Sequence, residues 1–422
     1  MGGLRVLQTF LSRVSILGFS FGLVILSTNL WGSEGKGIIS IAVADLVLIT
    51  FISNIFTGSA VSYFARRYQK EQILSYAWSW AIISGLLVAF IFASIFPPPV
   101  PIEYLAGVSV ITSLLSANIN LFVGLGQLKK FNLYTLLQQG GHWAVLLAFV
   151  FFAGAGHVEY YFAAQIVASI ILFAFTAVQL LENASLSAFA LPKKLGYEML
   201  RYGWNTQASL FLNFLNQRLS YYFLEFFRGL PAVGVLSVGV AISEAVWMAS
   251  RSLSLVLYSD IVGGTNDAAI ITKTKFSLKV SFWLTAVLLT VLLLFPEEIF
   301  KIIFGQDFHQ TKHIIILLAP GVLAVACSNV IGYYFAGINE LKILNIKSLV
   351  GLIFTLILSF VMIPNYGALG AAASTSAAYC ASSLVLAWKF YSDIPFKTAD
   401  FLFSKKELQL IFSKIRPKSK TR

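Results

Sequence analysis

This sequence is short of charge. Asp, Glu, Lys and Arg make up 11% of its 422 residues, where soluble globular domains carry roughly 25%. It also lacks any polar stretch between Leu11 and Tyr391 long enough to fold separately, which excludes a soluble catalytic domain. Cysteine is limited to Cys327 and Cys380, both in apolar segments without ligand-like neighbours, so a disulfide framework or a metal site is not expected. No cofactor motif is present. Gly32-Ser33-Glu34-Gly35-Lys36-Gly37 lacks the glycine spacing and the Ser or Thr after Lys that cradle phosphate and Mg²⁺, and it reads as a tight turn between spans. No small-residue cleavage site follows the first apolar run, which therefore reads as a true span rather than a signal peptide.

What fills the sequence is hydrocarbon: 58% of residues are hydrophobic. About 20 apolar residues cross a ~30 Å hydrocarbon core as a helix. By that measure the chain carries twelve spans, near 11–30, 38–64, 74–96, 102–125, 131–154, 159–181, 203–227, 231–258, 276–295, 314–337, 343–364 and 366–391. Lys and Arg accumulate in alternate loops: Arg5 and Arg13, then Arg66, Arg67 and Lys70, Lys129 and Lys130, Lys193, Lys194 and Arg201, Lys273, Lys275 and Lys279, and Lys342 and Lys347. The opposite loops hold only Lys36, Arg228, Lys301 and Lys312. The positive-inside rule then places both termini in the cytoplasm. Asn183-Ala184-Ser185, formally a glycosylation sequon, falls on the cytoplasmic side and is discounted. The longest outer loop, Pro296 to His313, contains Glu297, Glu298, Asp307, His309 and His313, whose spacing matches no metal-ligand motif; it reads as solvated.

The chain repeats itself. Gly37 to Ala44 reads GIISIAVA and Gly234 to Ala241 reads GVLSVGVA, in register at an offset of 197, and Gly32 matches Gly229 at the same offset. With six spans between the copies, the halves share one orientation, as parallel transporter repeats do. The expected organisation is an N-terminal six-helix lobe (1–181), a cytoplasmic linker (182–202), a C-terminal six-helix lobe (203–391) and a basic cytoplasmic tail (392–422). In the tail, Leu408, Ile411, Phe412 and Ile415 follow helical spacing among lysines, which suits an amphipathic helix on anionic headgroups rather than nucleic-acid binding.

Function is expected where charge enters the hydrophobic runs, between Tyr202 and Ser259. Arg218, Glu225, Glu244 and Arg251 sit there, and ionisable groups at membrane depth cost roughly 2.5–3.5 kcal/mol each on insertion scales, so they face partners or water. On the seventh span Asn205, Ser209, Asn213, Asn216 and Ser220 fall within about 80° of arc, with Gln207, Arg218 and Glu225 on the other side. Arg218 and Glu244 lie at similar depth. They read either as a buried ion pair that fixes helix packing or as part of a cavity lining. Arg251, without an obvious acidic partner at its depth, is the stronger cavity cation. Asp45, with Asn54 nine residues on, reads as a proton or Na⁺ site or, equally, as a cap or interfacial carboxylate. Pro320-Gly321 interrupts the tenth span and would permit bending.

With its glycine-rich first hairpin (Gly32 to Gly37), the repeat of that hairpin after the linker, and Pro364-Asn365-Tyr366-Gly367-Ala368-Leu369-Gly370-Ala371-Ala372, the chain resembles polysaccharide flippases of the Wzx type. These belong to the multidrug/oligosaccharidyl-lipid/polysaccharide exporter superfamily. The resemblance implies an all-α integral membrane fold of twelve transmembrane helices in two six-helix lobes around a central cavity, in a bacterial or archaeal cytoplasmic membrane. It implies a transporter, not an enzyme. The cargo would be an undecaprenyl-diphosphate-linked oligosaccharide repeat unit, flipped by alternating access for surface polysaccharide or O-antigen synthesis, with membrane lipids and polysaccharide polymerase machinery as partners. On that reading Arg251 and Arg218 with Glu244, Asn213 and Asn216 bind cargo, and Asp45 with Asn54 couples an ion. An ion-coupled multidrug exporter of the same superfamily is the alternative. A membrane-embedded glycan polymerase or ligase would need a large outer loop carrying acid, base or arginine residues, and the loops here are too short.

Overall fold

The computed structural model describes residues 2–154, 156–182, 189, 191–262, 267–396 and 400–402. Every regular element among them is helical: α1 (Gly2–Thr57), α2 (Ser59–Phe64), α3 (Lys70–Ile95), α4 (Ile102–Gly124), α5 (Leu128–Ala153), α6 (Tyr160–Leu181), α7 (Lys193–Arg228), α8 (Leu230–Val262), α9 (Asp267–Leu294), α10 (Glu297–Phe304), α11 (Thr311–Gly337) and α12 (Leu341–Asp393), with a 3-10 turn at Gln306–Phe308. Among the described residues, nine helical segments are long and apolar enough to cross a membrane. Two of these, Val14–Phe64 and Lys342–Asp393, run 51 and 52 residues, roughly 75 Å at ~1.5 Å per residue, more than twice the hydrocarbon thickness. Each is broken by a non-helical glycine, Gly32 (φ 61, ψ −159) in α1 and Gly367 (φ 56, ψ −131) in α12. At 36 residues α7 has the length to cross, but its Asn, Gln, Arg and Glu residues leave it too polar to qualify by composition. The chain is a multi-pass, all-α membrane protein.

Several sequence expectations change in detail. The second span stops at Thr57, where Gly58 starts the short α2. α7 begins at Lys193, so the expected linker is already helical over its last ten residues, nearly half its length. Leu195 and Met199 are buried in the core that joins α1 to α6, and the Tyr76 hydroxyl donates to the Pro192 carbonyl at 3.0 Å. At Pro320-Gly321 the helix continues through the proline. The Gly321 N–H donates to Ser376 Oγ at 2.9 Å, and a Cβ on Gly321 would lie 2.7 Å from the Ser376 Cα, so the site is a close helix crossing. The outer loop is folded rather than simply solvated: Phe300, Phe304 and Phe308 are buried. Asp307 accepts from the Ser33 N–H (3.0 Å) and hydroxyl (2.8 Å), and these bonds hold its carboxyl below the usual carboxylate range. The tail helix from Lys405 to Arg416 lies outside the described residues.

Packing divides the chain into two compact units. The first runs to Val238 and adds residues 298–311; the second comprises 239–297 and the chain from Lys312 on. The division falls inside α8 because α7 packs along the distal half of α1. Gly203 meets the Ile55 carbonyl, Phe211 packs at a tilt against Phe51 (4.7 Å between centroids, 42° between planes), Tyr222 reaches Asp45, and Leu230 meets Gly37. Numbers rise on one helix as they fall on the other, so the pair is antiparallel.

Residues at the 197 offset behave alike. Gly32 and Gly229 both take positive φ with extended ψ (61, −159 and 80, 176), a conformation essentially reserved for glycine. A Cβ on Gly37 would lie 2.0 Å from the Leu230 carbonyl oxygen, and one on Gly234 would lie 1.9 Å from that of Ser33. The offset maps Ser33 onto Leu230 and Gly37 onto Gly234, so the two contacts are reciprocal. The same correspondence recurs deeper in each unit. Ser53 hydrogen bonds Ser84 in the first and Ser250 hydrogen bonds Ser281 in the second, while Thr57 and Ser254 donate to the carbonyls of Ser53 and Ser250.

Candidate functional site

In the first unit the charged face of α7 lies against the distal half of α1. Arg218, Tyr222 and Glu225 stand at helical positions i, i+4 and i+7, hence on one face, together with Gln207 three turns earlier. The Tyr222 hydroxyl donates to Asp45 Oδ1 at 2.8 Å, and Asp45 is only 2% exposed. Glu225 lies within electrostatic reach of both partners. One turn up α7, Arg218 stacks its guanidinium over Tyr221 (5.2 Å to the ring centroid) and is within electrostatic reach of the buried Lys36. Toward the other end of the helix Gln207 is buried beside Gly58. Along the strip Lys36 lies at the Gly37–Leu230 end, Glu225 and the Tyr222–Asp45 pair come next, and Arg218 stands one turn beyond them toward Gln207.

Each expected site residue has a definite place. Asp45 meets Tyr222, whereas Asn54 accepts a 3.2 Å hydrogen bond from Thr57 and lines a cavity with α4 and α5. Nine residues is two and a half turns, so the two point to opposite sides of α1 and are not brought together. Asn213, on the other side of α7, is exposed, and Asn216 is half-buried. Glu244 and Arg251 belong to the second unit, Glu244 half-buried and Arg251 exposed on a helix otherwise apolar enough to span a membrane. At the 197 offset Arg251 is the counterpart of Asn54, with their neighbours Ser53 and Ser250 making equivalent bonds. Sequence reasoning missed Tyr222 as the partner of Asp45. The i, i+4 spacing from Arg218 was its only local signal, and the partner lies 177 residues away.

The comparisons with known proteins are consistent in fold. No family model matches the chain. One curated protein, the probable low-salt glycan biosynthesis flippase Agl15 of Haloferax volcanii, is 24% identical over 106 residues; the match spans 25% of this chain and 22% of that protein. The chain thus matches well under two thirds of that relative's length. Among solved structures, the lipid II flippase MurJ in an inward closed conformation aligns with a TM-score of 0.73 at 18% identity, over 98% of this chain and 92% of its own. An inward-facing multidrug resistance MATE family transporter of the MOP superfamily aligns with a TM-score of 0.74 at 16% identity, over 90% and 94%. A MOP superfamily transporter from Pyrococcus furiosus, described by the reversed polarity of its binding pocket, aligns at 0.61 with 15% identity, over 95% and 96%. At these identities the likeness is one of architecture, and the architecture is that of the two-lobed MOP superfamily transporters.

Proposed function

We propose that the chain is a flippase that moves undecaprenyl-diphosphate-linked oligosaccharide repeat units across the cytoplasmic membrane by alternating access, for surface polysaccharide synthesis. The observation that carries this reading is Arg251, an exposed guanidinium on a spanning helix. Lipid offers such a group no partner, so a watery, anion-accepting surface is its natural environment. Arginine suits a diphosphate because it stays charged and offers forked donors to phosphate oxygens. Arg218 adds a second cation, while the carboxylate Asp45 is turned into the α1–α7 packing against Tyr222. The partial match to a glycan biosynthesis flippase favours a glycan as the variable part of the cargo. In this reading Asp45 couples an ion, since a buried carboxylate held by a single hydroxyl changes the packing of α7 on α1 when it takes up or loses a proton.

The rival is an ion-coupled multidrug exporter on the same architecture. Its supporting observation is the Asp45 and Glu225 pair, because acidic groups would attract cationic drugs. For the Pyrococcus furiosus transporter reversed pocket polarity suggested a different function, which supports weighing lining charge here. The test is export of lipid-linked glycan by site variants. Arg251→Ala abolishes export at normal membrane levels and Arg251→Lys retains part of it. A drug exporter would instead lose drug efflux in Asp45→Asn and keep glycan display in both arginine variants.

A further inference from the structure

The first unit contains a cavity of about 350 Å³ that the arginine argument leaves unused. It lies between the distal half of α1, the middle of α4 and the first turns of α5. Three stripes at helical spacing meet there: Thr50 and Asn54 from α1, a run of hydroxyl and amide groups ending at Asn120 from α4, and Phe131, Thr135 and Gln138 from α5. All the lining side chains but Ile119 and Phe131 are hydroxyls or carboxamides, and none is charged. In an apolar helical bundle this is a concentration of polar groups; Thr50, Thr112 and Thr135 each donate to the carbonyl four residues back in their own helix, which leaves their oxygens facing the cavity as acceptors.

Part of the hydrogen-bonding capacity is still open. Ser113 is 1% exposed, lines the cavity, and its Oγ has no hydrogen-bond partner. The Gln138 carboxamide also lines the cavity. Others are pre-set: Asn120 Nδ2 donates to the Thr57 carbonyl and to Ser116 Oγ, both at 3.1 Å, which fixes the amide and leaves its oxygen available. The chemistry on offer is neutral throughout, chiefly hydroxyl and amide acceptors with the Ser113 hydroxyl and the Gln138 amide as donors, and one aromatic ring. A diphosphate would call for cations and a metal ion for carboxylates, and neither lines the cavity. A polyhydroxyl ring matches: its hydroxyls donate and accept in turn, and its apolar face can lie on Phe131. The volume is at the lower end of small-molecule sites, room for about one sugar ring and not a whole oligosaccharide.

We propose that this cavity binds one uncharged sugar residue of the cargo. The inference rests on the flippase reading and deepens it. The repeat supplies a contrast: the position that holds Asn54 here holds Arg251 in the second unit, an amide in one copy and a guanidinium in the other.

Thiol labelling of the full-length protein in detergent tests this. Gln138→Cys reports from α5 and Thr50→Cys from α1, two positions in case one variant does not accumulate; the unsubstituted chain controls for Cys327 and Cys380. The probes are the host's lipid-linked oligosaccharide and undecaprenyl diphosphate without sugar, with Ser252→Cys, exposed beside an intact Arg251, as a reporter in the other unit. With the glycan-bearing lipid at about ten times its dissociation constant, labelling of the cavity cysteines slows about tenfold by mass action. The sugar-free lipid leaves them unprotected but protects Ser252→Cys, and Ser113→Ala weakens the cavity protection. Equal protection of the cavity by both lipids, or protection at Ser252→Cys alone, overturns the sugar site while leaving the flippase reading intact. Protection at no position by either lipid overturns the flippase reading as well.

Discussion

At the scale of residues, the Tyr222 hydroxyl holds the buried Asp45 carboxyl inside the first unit. A hydrogen bond to a charged partner contributes about 1.5–3 kcal/mol, and a neutral one about 0.5–1.5. Tyr222→Phe should therefore lower the thermal midpoint in detergent, and the same change in an Asp45→Asn background should cost less, because the interaction is already weakened. A double-mutant cycle reads the coupling directly; strict additivity would mean that the 2.8 Å contact has no energetic consequence. Arg218 and Glu225 were legible as members of one helical face, since spacing along a helix determines direction. Their neighbours on α1 were not, because a face announces that it is polar without stating what it meets. The cavity around Ser113 was open to the same kind of reading. Thr112, Ser116 and Asn120 recur every four residues, a stripe visible in the sequence but easily passed over in a helix that is otherwise so apolar.

At the scale of elements, the α1–α8 crossing is set by two glycines that let backbones touch. A Cβ at either Gly37 or Gly234 would fall about 2 Å from a carbonyl oxygen on the opposing helix, and backbone cannot move aside as a flexible side chain can. Gly37→Ala and Gly234→Ala should each destabilise by at least the ~1–3 kcal/mol typical of overpacking, and by similar amounts because the contacts are reciprocal. Once one has forced the helices apart, the second should cost little more. Unfolding of the two single variants and the double variant decides this; a large loss for one glycine with none for the other would contradict the reciprocal crossing. Element boundaries were well read wherever apolar runs end in turns. The expected 102–125, 131–154 and 159–181 compare with Ile102–Gly124, Leu128–Ala153 and Tyr160–Leu181. The reading failed where composition misleads. The start of α7 carries Lys193, Lys194 and Arg201 and looks like a linker, yet Leu195 and Met199 bury themselves in the first unit's core. The segment after Pro296 looks solvated because of its acids and histidines, while its phenylalanines at every fourth position, Phe300, Phe304 and Phe308, carry the packing.

At the scale of the whole molecule, the repeat unites the observations. Gly32 with Gly229, Gly37 with Gly234, Ser53 with Ser250 and Ser84 with Ser281 share backbone conformation, close approach or hydrogen bonding at one offset. The glycines were visible in the sequence as a short motif. The serines were not, because a lone Ser in an apolar helix shows no pattern until its partner, 31 residues on, is found across a helix crossing. Against that common frame the differences between the halves are informative, above all Arg251 where the first half has Asn54. On the proposed reading, the guanidinium at this position serves the phosphate part of the cargo and the neutral cavity of the first unit its sugar part. The most direct measurement is the distribution of lipid-linked glycan between the two faces of the membrane in cells that lack this protein, with wild type or the Arg251→Ala, Arg218→Ala double variant restored. Deletion should leave the glycan on the cytoplasmic face, wild type should return it to the outer face, and the double variant, present at normal levels, should not. Normal outer-face glycan in the deletion strain, or full restoration by the double variant, would contradict the account.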